Sequence, residues 1–340
     1  MPPPEWAPQT ALMIGWPSHA SVWEAPFEQA CREVAAFANL ILSSECLNGM
    51  TPTSVILVVD GESAEAKARS LVPGAQIINT AAGDTWIRDT GPILLPTADG
   101  HVANTFGFNG WGGKYFFPGD ADLSDRLADE LKAKRVAHDF VLEGGSIDWD
   151  GEGAMLTTRE CLLNPNRNEG WDEAKAEAAL EAALGASEVI WISHGLLNDH
   201  TDGHIDNLVR FVGPRKLVCQ TPNGPDDPHK DRLLAILDEL RAFRFRDGGA
   251  LEIVTLPSPG CVLDEEGEPI PASHMNFVIT NQAVIVPAYN DEVSGALDEL
   301  KGLFPNRNIL SSPAGAVLTG GGSFHCISQQ VPEYTGEKHA

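Results

Sequence analysis

The sequence predicts an α/β fold of five pseudo-equivalent ββαβ units closed into a ring, an α/β propeller with a central site. Three observations predict it. A strand–strand–helix–strand pattern recurs four times between residues 92 and 310. Each copy's hairpin ends on an asparagine: Asn109, Asn164, Asn223 and Asn290. The helix left over near residue 30 can find its strands only at the two chain ends, so the fifth unit is split between them. Recurrence of one supersecondary unit marks a repeat architecture, and a ring hides the edges that an open sheet would expose. Residues 1–340 are accordingly read as one domain.

Taken in order, residues 11–16 are an apolar run stopped by Pro17, a strand. Residues 26–42 carry Phe27, Val34, Phe37, Leu40 and Ile41 at helical spacing. A β-branched strand follows at 54–60, then a short helix at 62–71 and a strand at 76–78. The four hairpins are 92–109, 146–164, 206–223 and 276–290, turning at Asp99-Gly100, Asp150-Gly151, Gly213-Pro214 and Asn281-Gln282. Turn residues between apolar runs are a strong hairpin signal. Helices are expected at 122–134, 172–184, 228–243 and 291–304, each followed by a strand: 136–142, 188–193, 251–256 and 308–310. No linker or low-complexity segment intervenes. The longest irregular insert, 257–273, is expected to be a surface or lid loop.

Composition narrows the partners. A net charge of −25 argues against nucleic acid and anionic membranes. No apolar run reaches membrane-spanning length. Six scattered cysteines without a CxxC, and an N-terminus lacking the basic start and apolar core of a signal peptide, predict free thiols and a cytoplasmic protein.

The chemistry-bearing residues fall between each post-helix strand and the next hairpin: segments 84–91, 143–145, 198–206 and 320–326. Equivalent points of a ring face its axis, so these segments are expected to meet in one pocket. Gly320-Gly321-Gly322 removes every Cβ just before Cys326, which permits close approach to its thiol. Cys326 is thus a candidate nucleophile; the plainer reading is a small apolar filler in a buried strand. Cys261, in a loop after Pro259-Gly260, is a weaker rival. His204 and Asp206, spaced H-x-D, would share one side of an entering strand, and histidine is the natural proton shuttle near neutral pH.

Asp89 and Glu143 add two more carboxylates. Acids aimed at one pocket repel each other unless a cation enters, and a guanidinium matches paired carboxylates best. His194, His200 and His204 with nearby aspartates resemble metal ligands, but Asp202-Gly203 favours a turn there over one helix face. Read as calcium loops, segments 198–209 and 146–157 fail at Val209 and Thr157. No metal and no cofactor are expected.

The chain is similar nearly end to end to the agmatine deiminase and bacterial-type peptidylarginine deiminase family of guanidine-modifying (pentein) enzymes. The resemblance runs through Trp16-Pro17, Trp86-x-Arg88-Asp89-x-Gly91-Pro92, Glu143-Gly144-Gly145, Thr201-x-Gly203-His204-x-Asp206, Met275-Asn276-Phe277 and Gly320-Gly321-Gly322-x-x-His325-Cys326-x-x-Gln329-Gln330. It implies a five-unit α/β propeller and hydrolysis of a guanidinium without cofactor. Cys326 would attack the guanidinium carbon to form an amidino-thioether, and His204 would protonate the departing ammonia and then activate water. Asp89 and Asp206 would hold the guanidinium, Glu143 would orient His204 or touch substrate, and Trp86 would wall the pocket. Several agmatine-specific relatives have Glu-Thr-Asn-Gly-His where this chain has His200-Thr201-Asp202-Gly203-His204. The acid facing agmatine's distal amine would then be replaced by His200, with Asp199 or Asp202 compensating. Agmatine leads as substrate, with arginine or peptidylarginine, an amidinotransferase and a cation-binding module as alternatives. The family leaves a homodimer open.

Overall fold

A computed structural model describes residues 1–290 and 293–334. It contains five small sheets. Four have three strands each: β4 (Ile93–Thr97), β5 (Gly100–Gly107) and β6 (Lys134–Val141); β7 (Ile147–Trp149), β8 (Ala154–Thr158) and β9 (Glu188–Ile192); β10 (Val209–Gly213), β11 (Lys216–Thr221) and β12 (Glu252–Pro257); β13 (Val278–Ile279), β14 (Ala283–Ala288) and β15 (Asn308–Pro313). In every one the first pair is antiparallel and the second parallel, as a hairpin followed by a helical crossover requires.

The fifth sheet joins the two chain ends. β16 (Ser328–Pro332) pairs antiparallel with β1 (Gln9–Gly15), setting Leu12 opposite Gln330. β1 runs parallel to β2 (Ser54–Val59), which pairs in turn with β3 (Gln76–Asn79). The split unit is therefore real, and the architecture is the expected five-unit α/β propeller.

The crossover helices are Phe27–Ser43, Leu123–Glu130, Glu173–Leu184, Lys230–Ala242 and Val293–Leu303, with an extra helix at Glu62–Leu71. The helix expected from Asp291 begins outside the described residues, as does the tail 335–340. Local chemistry sets the ends. Asp172 caps Glu173–Leu184 by accepting from Lys175 N at 2.9 Å, and Gly185 closes it at φ +78°. Two boundaries differ from expectation. The 122–134 helix stops at Glu130 because Lys132 turns the chain at φ +53° into β6. The hairpin expected to reach Asn164 ends at Thr158, whose hydroxyl accepts from Cys161 N at 3.2 Å and starts a helical turn, Arg159–Leu162.

The largest apolar cluster lies beneath Phe27–Ser43. Phe37 stacks on Phe324 at 4.4 Å between centroids, both wholly buried. Burying such a ring is worth about 1.5–3 kcal/mol, and Phe324 lies two residues from Cys326, so the core anchors that segment from behind. Before the first strand of each unit comes a short turn: Ile87–Thr90, Gly144–Ser146, Ile205–Asn207, His274–Asn276 and the stretch 323–327. The 257–273 loop, expected as a lid or surface loop, lines no part of the central cavity. It is held by an isolated Leu263–Pro269 bridge and by Asn198 Nδ2 donating to Pro269 O.

Candidate active site

The five turns deliver their polar residues to one place. Gly145 shows how tightly: a Cβ there would fall 2.6 Å from His204 Nδ1, 2.9 Å from Asp89 Oδ1 and 3.1 Å from Asp206 Oδ2. No side chain fits where three functional groups converge. Gly322 is constrained similarly, since its Cβ would sit 2.6 Å from Trp86 and 3.2 Å from Cys326 Sγ.

Cys326 opens onto a cavity of about 240 Å3 that is also lined by Asp89, Asp84 and an aromatic wall of Trp23, Trp86, Trp111, Tyr115 and Phe117. Its Sγ accepts from Asn276 Nδ2 at 3.2 Å and lies 3.6 Å from Asp206 Oδ2. Asn276 Oδ1 also accepts from the backbone N–H of His325 and Cys326 at 2.8 and 3.2 Å, clamping the cysteine's backbone. Burial, reinforced by Asp206 and Asp89, pushes the Cys326 thiol well above its ordinary value. The group is a thiol until something cationic arrives.

His204 is fully buried, with Nε2 3.0 Å from Glu143 Oε2 and Nδ1 3.7 Å from Asp89 Oδ2. Burial alone would lower its proton affinity, but Asp89, Cys161 and Glu143 raise it well above the ordinary value. Glu143 is buried too, yet His204 and Arg167 hold its carboxyl below the usual range. Arg167 Nε donates to Glu143 Oε1 at 2.8 Å. The pair His204–Glu143 is thus an imidazolium on an ionised carboxylate.

The two aspartates differ. Burial, with Glu143 and Asp206 nearby, pushes the Asp89 carboxyl up against the pull of His204, and Trp111 Nε1 and Gly145 N each donate to it at 2.9 Å. Asp206 goes down despite burial, because His325 and His204 favour its charge. Asp206 Oδ1 and His204 Nδ1 are buried without a hydrogen-bond partner among the described residues. Each such orphan costs ~1–3 kcal/mol, which a bound ligand would recover.

The wall is also built deliberately. Asp84 Oδ1 and Oδ2 accept from the indole N–H groups of Trp23 and Trp86 at 2.9 and 2.6 Å. Trp111 adopts φ +53° between Gly110 and Gly112, both at positive φ, and this strained turn aims its indole at Asp89.

Cys326, His204, Glu143, Asp89, Asp206 and Trp86 are brought together: Cys326, Asp89 and Trp86 line the cavity, and His204, Asp206 and Glu143 stand behind them. His200 is at the cavity wall, its Nδ1 2.9 Å from the Tyr115 hydroxyl. Asp202 is placed otherwise: it does not line the cavity. Its carboxylate is taken by Lys114 Nζ at 2.6 Å, Asn166 Nδ2 at 3.0 Å and Arg167 Nη1, because two cations reach it first. The metal candidates do not converge either, since His194 faces Glu160 at 3.5 Å, His200 faces Tyr115 and His204 faces Glu143. Among the described residues one donor group of metal type exists, Glu143, Cys161 and His204. It suits a cation poorly: Glu143 is committed to Arg167 and His204, and burial holds Cys161 as a neutral thiol.

Sequence reasoning missed Arg167, Trp23, Trp111, Tyr115 and Asp84, and gave Asn276 no role. Arg167 lies in the polar run Asn164-Pro165-Asn166-Arg167-Asn168, and Trp111 in a glycine-dense turn; those are the signals that existed. Arg88 pairs with Gln330 Oε1 at 2.8 Å and the His325 carbonyl at 3.3 Å, so it braces the turn that carries the cysteine and the strand that follows it.

A buried cysteine facing paired carboxylates and a carboxylate-bound imidazolium defines, on this propeller, a site for attack on a cationic carbon. Residues 1–332 match the model of the Porphyromonas-type peptidyl-arginine deiminase family, and the chain belongs to that family. It is similar to the agmatine deiminase of Pseudomonas fluorescens (strain SBW25), at 34% identity over 97% of this chain and 95% of that one. Among solved structures it resembles a C. jejuni agmatine deiminase, a cysteine-to-serine variant with substrate bound (29% identity, TM-score 0.87, covering 98% and 96% of the two chains). It likewise resembles an Enterococcus faecalis agmatine deiminase (27%, TM-score 0.89, covering 97% and 95%). The fold alone is shared with an amidinotransferase of Microseira wollei (11%, TM-score 0.58, covering 99% and 98%).

Proposed function

We propose that the chain hydrolyses agmatine to N-carbamoylputrescine and ammonia through a covalent intermediate on Cys326. The observation that carries the reading is the placement of Cys326 Sγ beside Asp206, with Asp89 in the same cavity and His204 held charged by Glu143. Asp89 and Asp206 bind the guanidinium nitrogens, the Asp206 Oδ1 orphan accepting one N–H. The arriving positive charge offsets the two acids that keep the thiol protonated, and the thiol proton leaves to solvent.

The thiolate then forms a C–S bond to the guanidinium carbon. The His204 imidazolium gives its Nδ1 proton to a departing nitrogen, the C–N bond breaks and ammonia leaves. Neutral His204 next takes a proton from water, and the hydroxide adds to the amidino carbon. Collapse breaks the C–S bond, returns the hydroxyl proton to sulfur and releases the ureido product, with His204 again charged. Glu143, already bound by Arg167 and His204, orients the ring. Trp86 serves as wall, and His200 borders the tail of the substrate; Asp202 acts on Arg167 rather than on substrate.

Agmatine is favoured over arginine because no lysine or arginine is among the residues lining the cavity, so an α-carboxylate would lack a cation. Lys114, close by, is committed to Asp202 and the His200 carbonyl. Ureido formation from agmatine, arginine and an arginyl peptide tests this side by side. Turnover of agmatine alone is expected. Preferential turnover of arginine or the peptide overturns the substrate, and exchange of the amidino group onto an added amine in place of hydrolysis overturns the reaction.

A further inference from the structure

The residue preceding Cys326 has no part in the steps above, yet it is among the most constrained in the protein. His325 is buried, with Nδ1 2.8 Å from Asp206 Oδ2 and Nε2 2.9 Å from Glu5 Oε2. Both ring nitrogens face carboxylate oxygens, so both must donate, and a ring that donates twice is an imidazolium. Glu5 comes from the N-terminal segment and stands outside the cavity lining. That segment is tied to the barrel by Trp149 Nε1 donating to Pro3 O at 2.8 Å and by Gln9 Nε2 donating to Glu5 O at 2.6 Å. Glu5 Oε1 accepts from Ile279 N at 2.6 Å, and Oε2 from Arg210 Nη2 at 2.5 Å, with Arg88 Nη2 at 3.9 Å. Arg210 Nε in turn lies 3.4 Å from Asp148.

The charged groups facing His325 are therefore Glu5, Asp206 and Asp148 on one side of the ledger and Arg210 and Arg88 on the other, with the Cys326 thiol adjacent in sequence. With His325 charged, Glu5 and Asp206, the two carboxylates it touches, each receive a cationic N–H; a neutral ring could donate to only one of them. Uncompensated buried charge is expensive. The arrangement also assigns the two Asp206 oxygens: Oδ2 is occupied by His325, and Oδ1 remains for a ligand.

We infer that Glu5 and His325 are positioning residues of this site. The N-terminal glutamate holds His325 as an imidazolium, and that imidazolium fixes Asp206 ionised and oriented to bind the cationic substrate. This role rests on the guanidine-hydrolase reading for what Asp206 binds, but the state of His325 does not depend on it.

Glu5→Gln keeps the shape and removes the charge, leaving Asp206 as the carboxylate partner of the ring. Without that anchor the ring should turn and Asp206 should loosen with it. Steady-state kinetics should show kcat/KM lower by roughly 10–100-fold, as for loss of an outer partner to an oriented histidine, with KM carrying most of the change and Glu5→Asp restoring part of it. A loss carried by kcat with KM unchanged, or no loss, overturns the inference, because a loosened Asp206 acts on substrate binding. Should the variant fail to fold, nitrogen NMR of the assigned wild-type His325 ring decides. Protons on both nitrogens support the inference, and a bare nitrogen overturns it. Failure of wild type to act on any guanidine would instead defeat the proposed function while leaving this ring measurement standing.

Discussion

Two buried thiols each lie beside a buried carboxylate, and only one of them lines the central cavity. Cys161 Sγ is 3.7 Å from Glu143 Oε2, and Cys326 Sγ is 3.6 Å from Asp206 Oδ2. Burial raises both thiols, and a neighbouring carboxylate raises each further. What differs is access and what else is aimed at them. Cys161 is not among the residues lining the Cys326 cavity and faces a carboxylate already paired with Arg167. Cys326 opens onto the aromatic-walled cavity, between acids that no lysine or arginine among its lining residues neutralises. We propose that access to the cavity, with the unpartnered Asp206 Oδ1 close by, is what makes Cys326 rather than Cys161 the nucleophile.

The largest effect that could break this comparison is replacement of each thiol. Cys326→Ala is expected to lower ureido formation by ~10⁴-fold or more, whereas Cys161→Ala should stay within a few-fold and cost roughly 1–3 kcal/mol of stability from a buried void. Comparable losses in both would erase the distinction.

Next is the imidazolium. Glu143→Gln should reduce kcat by ~10²–10⁴-fold and move the alkaline limb of the pH profile to lower pH. The sign follows from His204, whose proton affinity is raised in the folded protein: the charged form persists below that raised value and is lost as pH climbs through it, and removing Glu143 lowers it. The same linkage makes the stability contributed by His204 fully present below the ordinary imidazole value and progressively lost as pH rises from there through the raised one. A limb that stays in place contradicts the assigned pair.

Alkylation sharpens the comparison. At neutral pH a cationic haloacetamidine should modify Cys326 roughly 10–100-fold faster than a neutral haloacetamide of equal leaving group, since the cation lowers the thiol while the amide does not. Equal rates would mean that Asp89 and Asp206 do not set the reactivity of this thiol. The smallest loss expected from altering the cavity wall is that of Trp111→Phe, which removes one N–H from Asp89 and should lower kcat/KM by about tenfold.

The same contrast shows what the sequence made legible. Cys326, His204, Asp206, Glu143 and Asp89 are legible as candidates because the repeat places equivalent turns on one axis and because these residues are chemically conspicuous. The fifth turn, His274–Asn276, occupies the same structural position, but an amide beside two hydrophobic residues carries no distinctive chemistry until Asn276 Nδ2 is seen 3.2 Å from Cys326 Sγ. Arg167 was missed because its partners, Glu143 and Asp202, are 24 and 35 residues away in sequence and meet it only through the ring. That remote pairing is also why Asp202, an acid two residues from His204, looked like a substrate contact. Glu5 was hidden for the same reason, 320 residues from His325.

The most direct measurement is the mass of the enzyme quenched in acid during turnover of agmatine. A single amidino adduct located by peptide mapping to Cys326, formed within the steady state and absent from Cys326→Ala, is the predicted result. An adduct on Cys161 or another residue, or undiminished turnover in Cys326→Ala, would contradict the account.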